Sequence, residues 1–157
     1  MESLFIRIYA TGYEVLVASI IANILAQITK TITYSMSKKK FHSNMLISTG
    51  GMPSSHSATI CAMATSVGLI EGWSSVSFAI ACCVAGVVMY DAAGVRRAAS
   101  RQAWVLNLML KELLSENHKL KKERLKELLG HTPTEVLAGA VFGSIISFLF
   151  HFLLTTP

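Results

Sequence analysis

Four long apolar runs, joined by connections that carry most of the charge, are the feature that most constrains how this chain can fold. They cover roughly residues 13–29, 57–70, 76–90 and 136–154. A helix that crosses a bilayer needs about 20 apolar residues, with about 17 as the usual lower limit. The outer two runs meet that limit alone, and the middle two do so with their polar flanks. We therefore predict an all-α integral membrane helical bundle.

The composition agrees with a membrane protein. Only 15% of the 157 residues are charged, whereas a soluble domain carries about a quarter. The length suits one domain, so we interpret residues 1–157 as a single membrane domain. The predicted spans are roughly residues 13–30, 54–71, 75–93 and 134–155. A cytoplasmic amphipathic insertion is predicted at roughly residues 98–129.

The basic residues are concentrated in two connections. Thirteen of the fourteen lysines and arginines lie in residues 30–40 or 95–133, and the exception is Arg7. With four spans these connections share one side of the membrane, which the positive-inside rule makes cytoplasmic. We therefore expect a multi-pass cell-membrane protein. No basic patch is interleaved with base-stacking aromatics, so we expect no nucleic-acid partner.

The last of these connections has its own periodicity. Val105, Leu108 and Met109 recur at helical spacing, as do Leu125 and Leu128. We interpret them as two amphipathic helices on the cytoplasmic membrane surface, with lysines toward anionic headgroups. Packing of the same helices on the protein's own spans is the alternative.

A first group of polar residues, Ser-Thr-Gly-Gly-Met-Pro-Ser-Ser-His-Ser, precedes the second span. Gly50 and Gly51 let the backbone approach a ligand closely. Free N–H groups at a helix start, with the Ser54 and Ser55 hydroxyls, suit a phosphate. His56 would stand beside the bound anion. The alternative is an ordinary helix start with an incidental histidine.

A second group lies at the cytoplasmic end of the third span. Asp91 is followed by the paired arginines Arg96 and Arg97. A guanidinium group matches phosphate oxygens with two parallel hydrogen bonds. The alternative is topological charge together with an Asp–Arg salt bridge.

A third group opens the fourth span. Thr132 and Glu135 form a capping box, with Pro133 at the first helical position. Glu135 also lies four residues after His131 and can orient its ring through a nitrogen. Two histidines at one membrane depth, with cations, suit phosphoryl transfer: one attacks phosphorus and the other protonates the leaving oxygen.

These segments resemble the divergent branch of the type-2 phosphatidic acid phosphatase family, which is related to acid phosphatases and vanadium-dependent haloperoxidases. The resemblance runs from residue 30 to residue 143. In that superfamily a Pro-Ser-Gly-His motif supplies phosphate contacts and an acid histidine. Pro53, Ser54 and His56 match it, and Ser55 stands in the place of glycine.

The later His-x-x-x-Asp motif of that family supplies the nucleophile and its orienting carboxylate. His131 matches the histidine, and Glu135 replaces the aspartate. The arginine usual six residues earlier is Leu125 here, so the resemblance implies that Arg96 or Arg97 serves instead.

The first motif of the family pairs a lysine with a later Arg-Pro. Lys30 matches the lysine, and Lys38 or Lys39 stands near the place of the arginine. The resemblance implies a lipid-phosphate phosphatase that forms a phosphohistidine at the cytoplasmic leaflet and needs no cofactor or metal. The expected substrate is a phospholipid or polyprenyl phosphate, with phosphatidylglycerol phosphate tried first and phosphatidic acid next.

Two other functions remain open from the residues alone. His56, Asp91, His131 and Glu135 could be the ligands of a metal-dependent hydrolase. A protein that kept the pocket but lost the chemistry would be a lipid-binding membrane adaptor. The oligomeric state is also left open by the sequence.

The charge distribution gives a direct topology test. Single cysteines at Lys39 and Lys119, in a variant without the native thiols, should react with an impermeant maleimide only from the cytoplasmic side. Arg7→Cys is the matched control and should react from outside. Outside labelling of either lysine position would contradict a shared cytoplasmic face.

Overall fold

The computed structural model describes residues 8–38, 51–113 and 131–156, and all regular secondary structure in these ranges is helical. The prediction of an all-α membrane bundle is confirmed. The helices in chain order are α1 (Gly12–Lys38), α2 (Ser55–Glu71), α3 (Val76–Ala93), α4 (Val95–Leu113) and α5 (Pro133–Thr155).

Three of the described helices, α1, α3 and α5, are long and apolar enough to cross a membrane. Helix α2 has 17 residues, which is the usual lower limit for a crossing. It nevertheless occupies the centre of the bundle, because it packs against α1, α3 and α5. A fourth crossing by α2 therefore stays a prediction.

Serine and threonine side chains mark where the helices begin. The Ser54 hydroxyl oxygen accepts a hydrogen bond from the Ser57 N–H at 3.4 Å, and the Ser75 hydroxyl accepts one from the Phe78 N–H at 3.1 Å. These contacts satisfy N–H groups that have no partner within the helix. Gly72, at φ +92°, ends α2 in a backbone conformation that favours glycine.

Small side chains fill the interior of the bundle. Within the described ranges, the buried apolar side chains are all alanine except Val136. Large apolar side chains such as Leu16, Ile20 and Ile24 point outward and are exposed. This arrangement suits a bilayer, because lipid covers large apolar groups while small residues let helices approach closely.

The closest approach joins α2 to α5. A Cβ atom added at Gly139 would overlap the Ser54 carbonyl oxygen, and one added at Gly143 would overlap the Ala58 carbonyl oxygen. The four-residue spacing puts both glycines on one face of α5. The two backbones are therefore in direct contact along about one helical turn.

Helix α4 covers the first part of the predicted amphipathic insertion and starts a little earlier, at Val95. It contacts α3, and it exposes Val105, Leu106 and Met109. The second predicted amphipathic helix, near residues 125–129, lies outside the described residues.

Gly143→Ala should destabilise the bundle by about 1–3 kcal/mol, the usual cost of overpacking, because its methyl group would meet the Ala58 backbone. Gly86→Ala on α3 is the matched control, since a Cβ there would meet open space. Thermal unfolding in detergent measures both. Equal stability of the two variants would contradict the tight α2–α5 contact.

Candidate active site

His131 is held at the junction of α3 and α5. Its backbone N–H donates to the Ala92 carbonyl oxygen at 3.2 Å, near the end of α3. The residue is only 2% exposed. A main-chain hydrogen bond on one side and the start of α5 on the other therefore fix the position of the imidazole.

Glu135 performs two tasks at the start of α5. Its Oε2 accepts from the Thr132 N–H at 3.1 Å, while the Thr132 hydroxyl accepts from the Glu135 N–H at 3.3 Å. The same Oε2 lies 3.1 Å from Nδ1 of His131. The carboxylate is thus both a helix cap and the hydrogen-bond partner of the histidine.

This contact sets the chemistry of the imidazole. A carboxylate can only accept, so the His131 nitrogen that faces it must donate. In the neutral ring the proton then sits on Nδ1, and Nε2 keeps its lone pair. Nε2 is buried and has no hydrogen-bond partner within the described part of the chain. His131 therefore presents a nucleophilic nitrogen to the interior of the site.

His56 and the two serines come from the start of α2. The ring centroids of His56 and His131 are 6.0 Å apart. Ser54 and Ser55 are buried. The Ser54 N–H donates to the Glu135 carbonyl oxygen at 3.1 Å, so one hydrogen bond joins the starts of α2 and α5.

The structure shows that some groups of the predicted phosphate cradle are already hydrogen-bonded. The Ser54 N–H is already bonded, and the Ser54 hydroxyl oxygen caps α2. Pro53 precedes this cap and lies outside the first helical turn. Gly51 adopts φ +98°, a conformation that favours glycine. The Ser54 hydroxyl proton and the Ser55 side chain are among the polar groups that this segment can offer a ligand.

Lys30 brings a cation from α1. It is 1% exposed, and Glu135 interacts with it electrostatically. A buried ammonium group in a membrane protein is costly unless it is paired. The site therefore assembles residues from α1, α2 and α5 at one end of the bundle, beside the end of α3.

The remaining predicted residues are only partly described. Asp91 is half-buried next to Ala92. Arg96 and Arg97 lie in the first turn of α4, but their side chains are outside the described part of the structure. Lys39 and Gly50 also lie outside the described residues.

The alternative metal centre is not assembled in this arrangement. Its four candidate ligands were His56, Asp91, His131 and Glu135, all of which the structure describes. Among the described residues, no group of three or more His, Cys, Asp and Glu side chains is placed to hold a metal ion.

A family model described as "Divergent PAP2 family" matches residues 12–146. The chain belongs to this family. The matched range includes Lys30, His56, His131 and Glu135, the residues that the structure gathers.

One curated relative is a Bacillus subtilis (strain 168) protein described as "Uncharacterized membrane protein YuiD". It is 39% identical over 142 residues, which cover 84% of this chain and 90% of the relative. No solved structure matches the chain significantly.

Two contacts that hold the site together were not predicted from the sequence. The Ala92 carbonyl that holds His131 is a main-chain group, and no side-chain pattern signals it. The close contact made by Gly139 and Gly143 did have a signal, since two glycines four residues apart in an apolar run mark a helix-packing face.

The double role of Glu135 can be separated by two variants of this family member. Glu135→Gln keeps an oxygen for the Thr132 N–H but removes the charge beside His131, so catalytic turnover should fall more than stability. Thr132→Ala removes the cap acceptor, which should cost about 1 kcal/mol of stability and spare turnover. Thermal unfolding and phosphate release would be measured on both. Equal turnover in the two variants would contradict a catalytic role for Glu135.

Proposed function

We propose that this protein is a membrane lipid phosphatase, a phosphoric monoester hydrolase that works through a phosphohistidine. The observation that carries the proposal is the His131–Glu135 contact at 3.1 Å, with the His56 ring 6.0 Å from that of His131 in a buried site. Membership of a phosphatase-related family adds support.

The two histidines are placed at one site, with ring centroids 6.0 Å apart. In-line displacement at phosphorus needs a nucleophile on one side and an acid beside the leaving oxygen on the other. The proposal assigns the first task to His131 and the second to His56.

In the first step, Nε2 of His131 attacks phosphorus as the bond to the lipid oxygen breaks. His56 donates a proton to that oxygen, and the alcohol leaves. Glu135 stabilises the positive charge that develops on the His131 ring. In the second step, His56 takes a proton from water, the water oxygen attacks phosphorus, and the bond to Nε2 breaks to release inorganic phosphate.

Cations and hydroxyl groups would hold the oxygens of the phosphoryl group. Lys30 is buried and interacts electrostatically with Glu135, so it is the first candidate. Ser55 and one of Arg96 and Arg97 would complete the set, with Asp91 as support. Their charge would offset the negative charge that builds up in the transition state.

The surroundings of the site support a lipid substrate. The helices that supply it are covered outside by large apolar side chains, including Ile28 and Ile32 on α1. A phosphate ester whose acyl chains remain in the bilayer can reach such a site without leaving the membrane. The cytoplasmic leaflet is the proposed side, and phosphatidylglycerol phosphate is the substrate we would test first.

Detergent-purified protein should release phosphate from at least one member of a panel of phosphatidylglycerol phosphate, phosphatidic acid and polyprenyl phosphates. Orthovanadate should inhibit competitively, because it mimics the phosphoryl group. Vanadate binding without turnover of any lipid would instead indicate a lipid-binding protein that has lost the chemistry.

The two histidines should respond differently to substitution. His131→Ala should reduce hydrolysis of every substrate to background, because the attacking atom is gone. His56→Ala should lower turnover of the lipid by about 10²–10⁴-fold, the usual contribution of acid catalysis. It should lose less on p-nitrophenyl phosphate, whose leaving group needs no proton.

His118→Ala, which changes a histidine outside the predicted motifs, is the control and should keep full activity. Full activity of His131→Ala would contradict the phosphohistidine. Equal losses of His56→Ala on both substrates would contradict its role as the acid.

A further inference from the structure

The buried face of α1 carries charge only at its two ends. Glu14, Ala18, Ala22, Ala26 and Lys30 recur every four residues, and each is at most 1% exposed. Successive members of such a series lie one above another on a helix, and the whole series follows a ridge inclined to the helix axis. The carboxylate and the ammonium group are sixteen residues apart, or about 24 Å along the axis.

The packing face of α5 likewise carries ionisable residues only at its two ends. Glu135, Gly139, Gly143, Ser147 and His151 also recur every four residues, and the middle three are buried. The ionisable ends of this column are again sixteen residues apart. Between them stand two glycines and a serine, none of which carries a large side chain.

The ends of the two columns meet in antiparallel order. At the end far from the site, Nδ1 of His151 lies 2.6 Å from Oε1 of Glu14. Oε2 of the same carboxylate accepts from the Ala10 N–H at 2.8 Å. The Tyr9 ring lies 5.6 Å from the His151 ring. None of these groups has a role in the proposed reaction.

At the site end, Glu135 interacts electrostatically with Lys30. The equal spacing means that the far pair and the site pair can form together in a single register of α1 against α5. A slip of one turn would displace both by about 5.4 Å. Between these ends, the Asn23 side chain of α1 donates to the Thr59 hydroxyl of α2 at 2.8 Å, and the two glycines of α5 also contact α2. The pairs at the ends are what align α1 with α5 directly.

We propose that Glu14 and His151 are positioning residues: their hydrogen bond fixes the register of α1 against α5 and thereby keeps Lys30 at the end of the bundle that carries Glu135. The role of Lys30 in binding phosphate rests on the proposed function, whereas the register does not. Leaving Glu14 buried without its partner is costly in a membrane, so the pair selects one register.

His151→Phe is the first test. It keeps a ring that can contact Tyr9 and removes the nitrogen that bonds Glu14. Spin labels would be placed at Ile32 on α1 and Leu137 on α5, both exposed, in a variant whose native cysteines are replaced by alanine. The distance between the labels reports the register near the site and needs no enzymatic activity.

Thr65→Val is the matched control. It removes the partly buried hydrogen bond of 3.1 Å between Thr65 on α2 and Ser144 on α5. It should lower thermal stability without changing the register of α1. A purely structural role for His151 would give the same pattern, namely lower stability and an unchanged label distance.

We expect His151→Phe to shift the label distance by up to one turn, about 5.4 Å, or to broaden it by that amount. His151→Gln should restore the native distance, since its amide N–H can still donate to Glu14. Inhibition by orthovanadate should weaken roughly tenfold in the Phe variant alone, the scale of one lost charge-assisted hydrogen bond.

A narrow, native label distance in folded His151→Phe would overturn the positioning role. If that variant cannot be purified in folded form, Glu14→Leu replaces it, because it removes the acceptor for His151, with a shift in the distance again supporting the role and a native distance opposing it. A shifted distance together with no hydrolysis of any lipid by the wild-type protein would overturn the proposed function and leave the register role standing.

Discussion

The contact between the α2 and α5 backbones is the constraint on which the rest of the structure depends. Gly139 and Gly143 let α5 lie against the Ser54 and Ala58 carbonyls, and no other residue type would allow so close an approach. The Ser54 N–H then reaches the Glu135 carbonyl. Because His56 and His131 stand at the adjoining helix starts, a packing contact inside the membrane determines the distance between two ionisable rings.

The small size of the interior side chains also explains why charge is confined to the ends of the bundle. A described interior of small side chains gives close packing, with the alignment of α2 and α5 set by the two glycines. Buried ionisable groups do distinguish alignments, because each is costly unless it is paired. Glu14 lies 2.6 Å from His151 at one end of the bundle, and Lys30 interacts electrostatically with Glu135 at the other.

Local sequence signals predicted much of the fold and the core of the site. Thr132 and Glu135 identified both a helix start and the orientation of His131, since the relevant groups lie within four residues of each other. The Glu14–His151 contact joins positions 137 residues apart and could not be predicted from local spacing. Glu14 lies at the edge of the first apolar run, where its sequence position does not indicate a partner. The Ala92 carbonyl had no side-chain signal at all. Contacts between distant elements depend on how the helices are aligned, which the pattern of one helix does not specify.

The two four-residue columns limit how this protein can change in length. One residue inserted within α1 or α5 would rotate everything beyond it by about 100° around the helix axis. Such a rotation would turn an ionisable end, Lys30 or His151, from its partner toward hydrocarbon. Insertions and deletions should therefore be tolerated in the connections and in α4. The stretches from Glu14 to Lys30 and from Glu135 to His151 should keep a fixed number of residues.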